Sequence, residues 1–463
     1  MTSRQVRSVV RAAAEEGFSS VGVRLKPPAS ARHLETPDDD FLPSTPHERF
    51  TADTCARSWQ MESNGRMADD PPHRHAAPSP EESHRAAKRA KILETCRWKD
   101  VDQLRALSVS DAGLISDELR RQAWPVLLGC ADGSWPTAGE DEKAASWQSL
   151  PRHRDEDQVR LDVDRSFIYY PNDQSVAELD RRKGELSSLI TEVLRRQPYL
   201  CYFQGYHDIC QVLLLVLDPP QRAQAVARLS ALRIRDYMLP TLAPALSQLR
   251  LIPALIHAVN PRLWRHLAQT QPFFALSGTL TMYAHDIQEY GDIARLFDAL
   301  LAREAVFSVY MFARIVLRRA DELFDTPDDE PEMLHSILSK LPKPLDLESL
   351  ISTTVELFDA HPPESLPAWS SISSNSVLKT ARLPNAAARQ SLADGEIFFQ
   401  RQVQELQWAE RREKLLAALW KYRKPVSTVG LAVLVGVFSY YMRRSPSTAA
   451  WFSAIWRGSK KGI

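Results

Sequence analysis

From about Lys91 to Pro363 apolar residues recur at the three- and four-residue spacings of helices, and proline interrupts the runs. Leu179, Leu186, Leu189, Ile190, Val193 and Leu194 fall on one helical face, as do Ile293, Leu296, Phe297, Leu300 and Leu301. Breaks come near Pro198, Pro219, Pro220, Pro240, Pro253, Pro272 and Pro342, because proline lacks a backbone N–H and clashes with the preceding turn. The 463-residue chain holds 31 prolines against 16 glycines, which disfavours glycine-rich β-meanders. The expected architecture is all-α: one large multi-helix domain over 91–365, with each apolar stripe turned to a shared core.

The flanks have a different texture. Residues 1–90 contain nine prolines and no sustained hydrophobic period, and are expected to form a disordered extension. Arg4, Arg7 and Arg11 faintly suggest a transit helix, but Glu15 and Glu16 follow at once. A Ser, Ala and Asn-rich stretch, 366–396, reads as a flexible linker, and 397–424 as an amphipathic helix. Residues 425–442 carry no charge and are bracketed by Lys421, Arg423 and Lys424 before and Arg443 and Arg444 after. As a helix this run is about 27 Å long, close to the hydrocarbon thickness of an endoplasmic reticulum bilayer. A single C-terminal transmembrane helix followed by a short basic tail, 443–463, is expected. Basic residues flank the run on both sides, so charge does not orient it, but tail anchoring would leave the large domain in the cytosol.

Several function classes lose support. Lys plus Arg total 58 and Asp plus Glu total 58, so the chain lacks the net basic character that drives nucleic-acid binding. Five scattered cysteines, Cys55, Cys96, Cys130, Cys201 and Cys210, suit a reducing compartment and buried, inert thiols. Cys201, His207 and Cys210 lack a fourth partner for a zinc site. There is no phosphate loop ending in Gly-Lys-Ser/Thr, no His-Glu-x-x-His, no Gly-x-Ser-x-Gly and no Gly-x-Gly-x-x-Gly.

Two short segments remain. In Val159-Arg160-Leu161-Asp162-Val163-Asp164-Arg165 an arginine follows a carboxylate by three residues. In Tyr202-Phe203-Gln204-Gly205-Tyr206 a glutamine and a glycine lie between the helix ended by Pro198 and another starting at Tyr206. That places Gln204 and Gly205 in a turn at a helix N-terminus, whose free N–H groups and partial positive charge favour phosphate. Gly205 would let another molecule approach the backbone closely. Taken singly, Asp162 and Arg165 could equally form a surface ion pair, and Gln204 could be a capping residue.

Together the segments resemble the TBC domain of Rab GTPase-activating proteins, an all-α domain marked by Ile-x-x-Asp-x-x-Arg and Tyr-x-Gln-Gly motifs. Val159 stands for the isoleucine, Asp162 and Arg165 match, and so do Tyr202, Gln204 and Gly205. The block Leu119 to Gly129, with Arg120, Trp124 and Leu127-Leu128-Gly129, is similar to the family's opening block. The runs Gln204 to Ile209, Leu280 to His285 and Leu345 to Pro363 resemble the subgroup with a C-terminal transmembrane anchor in the endoplasmic reticulum. Val159, Ser166, Tyr206, Met282 and Ala284 depart from common family residues, and none of them removes a polar catalytic group.

The resemblance implies a catalytic pair supplied in trans to a Rab GTPase in its GTP-bound state. Arg165 would neutralise charge spreading over the transferred phosphoryl group, and Gln204 would orient the attacking water. Asp162 would hold the Arg165 loop, Tyr202 would pack beside it, and Gly205 would complete the turn. Magnesium and nucleotide would belong to the GTPase, so no cofactor is implied for this chain. The targets implied are Rab GTPases of the early secretory pathway, met at the endoplasmic reticulum membrane or early Golgi. The alternative is an inactive TBC scaffold serving as a Rab effector or membrane tether.

Overall fold

The computed structural model describes residues 79–130, 146–172 and 174–444, and among these every regular element is helical. The first helices are α1 (Pro80–Trp98), α2 (Val101–Val109), α3 (Asp117–Leu127), α4 (Glu156–Val163), α5 (Val176–Arg196), α6 (Tyr206–Val216) and α7 (Pro219–Leu232). Next come α8 (Ala243–Leu249), α9 (Leu251–Val259), α10 (Pro261–His266), α11 (Leu276–Leu280), α12 (Tyr290–Ala302), α13 (Phe307–Arg318) and α14 (Ala320–Phe324). The chain continues through α15 (Pro331–Leu338), α16 (Leu347–Ala360), α17 (Val377–Thr380), α18 (Pro384–Arg389) and α19 (Leu392–Arg444).

Proline sets many of these boundaries. Pro219, Pro261 and Pro331 occupy first-turn positions, where the missing N–H would have had no helical partner. Pro253 lies inside α9 rather than at a break, but within its first turn, where the same reasoning holds. The expected stripes face the core. Leu186, Leu189, Ile190, Val193 and Leu194 of α5 are buried, as are Ile293, Leu296, Phe297, Leu300 and Leu301 of α12.

The block around Arg120 is fixed by a distant residue. Asp298 of α12, fully buried, accepts from Arg120 Nε at 3.0 Å, Arg120 Nη2 at 3.0 Å, Trp124 Nε1 at 2.8 Å and the Leu114 N–H at 3.1 Å. A buried carboxylate needs this degree of pairing to offset its desolvation.

Three expectations about the flanks change. The extension expected over 1–90 lies mostly outside the described residues, but α1 begins at Pro80, inside it. The stretch 366–396, expected as a flexible linker, is packed: Ile372, Val377, Leu378 and Ala381 are buried, and Ser376 Oγ and the Val377 N–H both bond Asp236. Ser376 caps α17 and donates from a buried position to Asp236, and Asn375 donates at the surface to Glu405 of α19. The helix expected at 397–424 and the span expected at 425–442 are parts of one continuous helix, α19.

The first turns of α19 are held by the domain. Phe399 and Gln402 are buried and Val403 and Leu406 pack on the core. Beyond them Trp408, Leu415, Leu416 and Trp420 are exposed. Among the described residues no helix is long and apolar enough to cross a membrane; within 425–442 the side chains described are those of 432–440. The basic tail lies outside the described residues from 445 onward.

Candidate functional site

Helix α4 carries the first motif because its spacing puts Val159, Asp162 and Val163 on the buried face. Arg165 lies two residues past the helix end, with its N–H on the Asp162 carbonyl at 3.1 Å and its side chain 60% exposed. The second motif belongs to no helix; Leu200 to Phe203 carry no regular structure and lead into the turn at Gln204-Gly205 before α6.

The two motifs are clamped together around Tyr202. Asp155, at the N-terminal end of α4, accepts from the Tyr202 N–H at 2.9 Å, and Asp162, near the other end, accepts from the Tyr202 hydroxyl at 3.0 Å. His153 and Arg154 reach the Leu200 carbonyl from the same side, at 3.1 and 3.2 Å. Asp162 is fully buried and also accepts from Gln158 Nε2 at 3.0 Å and from Arg165 Nη2. One carboxylate therefore holds both the arginine loop and the tyrosine that opens the second motif. Burial, reinforced by the charge of Asp162, pushes the Tyr202 hydroxyl far above its ordinary range, so it stays an O–H donor.

Gln204 is exposed two residues beyond Tyr202. Gly205 is the N-cap of α6 with φ +98°, a conformation that favours glycine, and a Cβ there would stand 2.6 Å from Thr281 Cγ2. The glycine is thus required by its own backbone and by a neighbouring loop. That loop, Thr281 to Asp286, includes Met282 and Tyr283 at φ 50° and 64°.

Several polar residues at the site escape a motif reading. The Tyr202 hydroxyl also meets His207 Nδ1 at 3.2 Å, His207 Nε2 lies 3.3 Å from Asp208, and Asp208 binds His285 Nδ1 at 3.1 Å. The hydrogen bond to Asp208 raises the His285 pKa. Burial pushes the Asp286 carboxyl up to about 6, and its buried Oδ2 has no hydrogen-bond partner among the described residues. Gln211, also buried, accepts from the Phe167 N–H at 3.0 Å and donates to the Tyr170 carbonyl at 3.3 Å, which fixes the loop after Arg165. Its place one turn into α6 beyond His207 was the available signal, but its partner lies 44 residues away. Of the imagined metal ligands, Cys210 is fully buried and its thiol is raised by burial. Among the described residues no group of three or more His, Cys, Asp or Glu could hold a metal ion.

Residues 117–324 match the family model described as the Rab-GTPase-TBC domain. GTPase-activating protein gyp10 of Schizosaccharomyces pombe is 33% identical over 313 residues, which cover 66% of this chain and 82% of that protein. The chain belongs to the TBC domain family. TBC1 domain family member 20 of Homo sapiens is 35% identical over 270 residues, covering 58% of this chain and 65% of that protein. The match thus spans a little under two thirds of that relative. GTPase-activating protein GYP8 of Saccharomyces cerevisiae is 28% identical over 268 residues, or 50% of this chain and 51% of the relative. The matched TBC region contains α3 through α14, and with them Asp162, Arg165, Tyr202, Gln204 and Gly205.

Proposed function

We propose that this chain accelerates GTP hydrolysis by a Rab GTPase in its GTP-bound state, with Arg165 and Gln204 entering the GTPase site in trans. The observation that carries this reading is the shared anchor: Asp162 bonds both Arg165 and Tyr202, so an exposed arginine and an exposed glutamine turn belong to one fixed assembly. The relatives gyp10 and GYP8 are GTPase-activating proteins by name, which supports the same activity class.

In this reading Arg165 supplies a planar, permanently charged fork to the phosphoryl oxygens, a role worth about 10³ to 10⁵ in rate, or roughly 4 to 7 kcal/mol. Its bond to Asp162 presets the guanidinium near the working position, so less conformational freedom is lost on engagement. Gln204 orients the attacking water, and the adjoining N-terminus of α6 adds favourable potential for the phosphates. Asp162, Tyr202 and Gly205 position these two residues. The GTPase contributes nucleotide and magnesium.

The proposal extends to membrane attachment at the endoplasmic reticulum or early Golgi, through 425–442, and to Rab GTPases of the early secretory pathway. In its support, 425–442 contains no charged residue, and Val433, Leu434, Val435, Val437, Phe438 and Tyr440 of α19 are all exposed. Apolar residues at adjoining positions cover every face of a helix, the pattern of a helix surrounded by lipid rather than lying on one core.

The test is stimulated single-turnover GTP hydrolysis, using the full chain against a panel of GTP-loaded Rab GTPases. Arg165→Ala and Gln204→Ala should each abolish stimulation with helical content intact, and Arg165→Lys should fail as well, since a point charge lacks the fork. Wild-type-like stimulation by Arg165→Ala would overturn the assignment. Tight Rab binding without stimulation by the native chain would favour an effector or tether instead.

A further inference from the structure

The segment bearing Gln204 does not rest on α4 alone. On its other side it lies against the turn Arg235 to Leu239, with the Cys201 N–H on the Met238 carbonyl at 2.9 Å and the Phe203 and Tyr237 rings 6.2 Å apart. That turn is in turn gripped by α19. Gln402, 2% exposed, uses both ends of its carboxamide: Arg235 Nε donates to its Oε1 at 3.0 Å, and its Nε2 donates to Asp236 Oδ1 at 2.8 Å. Arg235 and Asp236 are both buried, so these bonds are made in surroundings where an unmade one is costly. A second link is direct: the ring of Phe399 lies 5.0 Å from that of Tyr199, three residues before Tyr202.

Between these links the packing is open. A groove of about 720 Å³ lies between Tyr199–Phe203 and Phe399–Val403, with Leu239 and Leu242 in its wall. The helix therefore holds the glutamine segment through a few contacts rather than a continuous interface, and each contact matters individually. Gly395 shows how closely α19 approaches the domain, since a Cβ there would meet Ala231 Cβ at 3.0 Å and its carbonyl at 3.1 Å.

We propose that Phe399 and Gln402 of α19 are positioning residues for the Gln204 turn, so that the working unit reaches past residue 365 to the first turns of α19. This rests on the GTPase-activating reading for its kinetic consequence, though not for the mechanical coupling. The turn is held by Asp155 and Asp162, by the Thr281 loop and, through Tyr199 and the turn Arg235 to Leu239, by α19; removing the last support loosens Gln204 while leaving Arg165 on Asp162. An error of about 1 Å at a water-orienting group can cost up to about 100-fold in rate. Binding of the GTPase, spread over a wide surface, should be much less affected.

The experiment uses the full chain and a Rab GTPase that the native protein stimulates, with Phe399→Ala, the milder Phe399→Leu, and Gln402→Leu. Phe399→Ala and Gln402→Leu should lower kcat about 10-fold or more with KM within about threefold, and Phe399→Leu should recover most of the loss. Amide hydrogen exchange supplies a readout independent of activity: the Tyr202 to Tyr206 amides should exchange faster in Phe399→Ala, while those of α12 and α13 stay protected. Native kcat in both Phe399→Ala and Gln402→Leu, or unchanged exchange at 202–206, would overturn the proposal. Faster exchange there, with no Rab GTPase stimulated by the native chain, would uphold the coupling and defeat the functional reading.

Discussion

Gly205→Ala probes how narrowly the turn before α6 is specified. At φ +98° an L side chain costs about 1–2 kcal/mol in backbone strain. The added Cβ would also stand 2.6 Å from Thr281 Cγ2, and forcing a methyl into a packed site costs about 1–3 kcal/mol more. Thr281 has little room to withdraw, because it is buried, its Oγ1 donates to the Ser277 carbonyl at 2.9 Å, and Met282 and Tyr283 follow at positive φ. The expected loss is about 2–5 kcal/mol. Thr281→Ser removes the methyl and keeps the hydroxyl, for about 1 kcal/mol of its own. In that background Gly205→Ala should cost only the strain, about 1–2 kcal/mol, leaving a coupling energy of about 1–3 kcal/mol. Urea unfolding of the four proteins measures the cycle directly, and stimulated hydrolysis should recover in parallel with stability. Equal losses in both Thr281 backgrounds would refute the contact, and a loss under about 1 kcal/mol in the native background would refute the strain as well.

Other variants test separate links. Asp298→Ala strips the partner from Arg120, Trp124 Nε1 and the Leu114 N–H, and should destabilise the domain by about 3–5 kcal/mol in denaturant titration. Asp162→Ala should slow stimulated hydrolysis and broaden the motion of Arg165; the exposed Arg165 bond contributes at most about 1 kcal/mol, while stranding the Tyr202 hydroxyl costs about 1–3 kcal/mol more, so a rate loss with a moderate stability loss in denaturant titration is expected. Asp286 gives a pH signature. Its folded pKa of about 6 is raised mainly by burial, so the stability it contributes is fully present below about pH 4 and is lost as pH rises through about 6. The difference in urea midpoint between Asp286→Asn and the native chain should therefore grow in the variant's favour across that window, and parallel pH profiles would contradict it.

The helical class, the apolar faces of α5 and α12, and the turn at Gly205 were readable along the chain because each depends on neighbours within a few residues: a 3.6-residue period, a proline's missing N–H, a glycine before a new helix. The pair of motifs was readable too, as two short patterns about 40 residues apart. Their joint anchor was not, since nothing in either motif says that Asp162 and Tyr202 share a hydrogen bond. The same holds for Asp298 under Arg120, for Gln211 behind the Arg165 loop, and for Asp236 beneath Ser376 and Gln402. The stretch 366–396 shows the limit most plainly: its polar composition is that of a linker in isolation, and it becomes part of the core only because a buried carboxylate from a turn 140 residues earlier meets its donors. Sequence determined which segments are helical and which residue types carry charge to the surface. Tertiary structure alone decided which distant charges are paired, because burial makes those pairings obligatory and burial is a property of the folded chain.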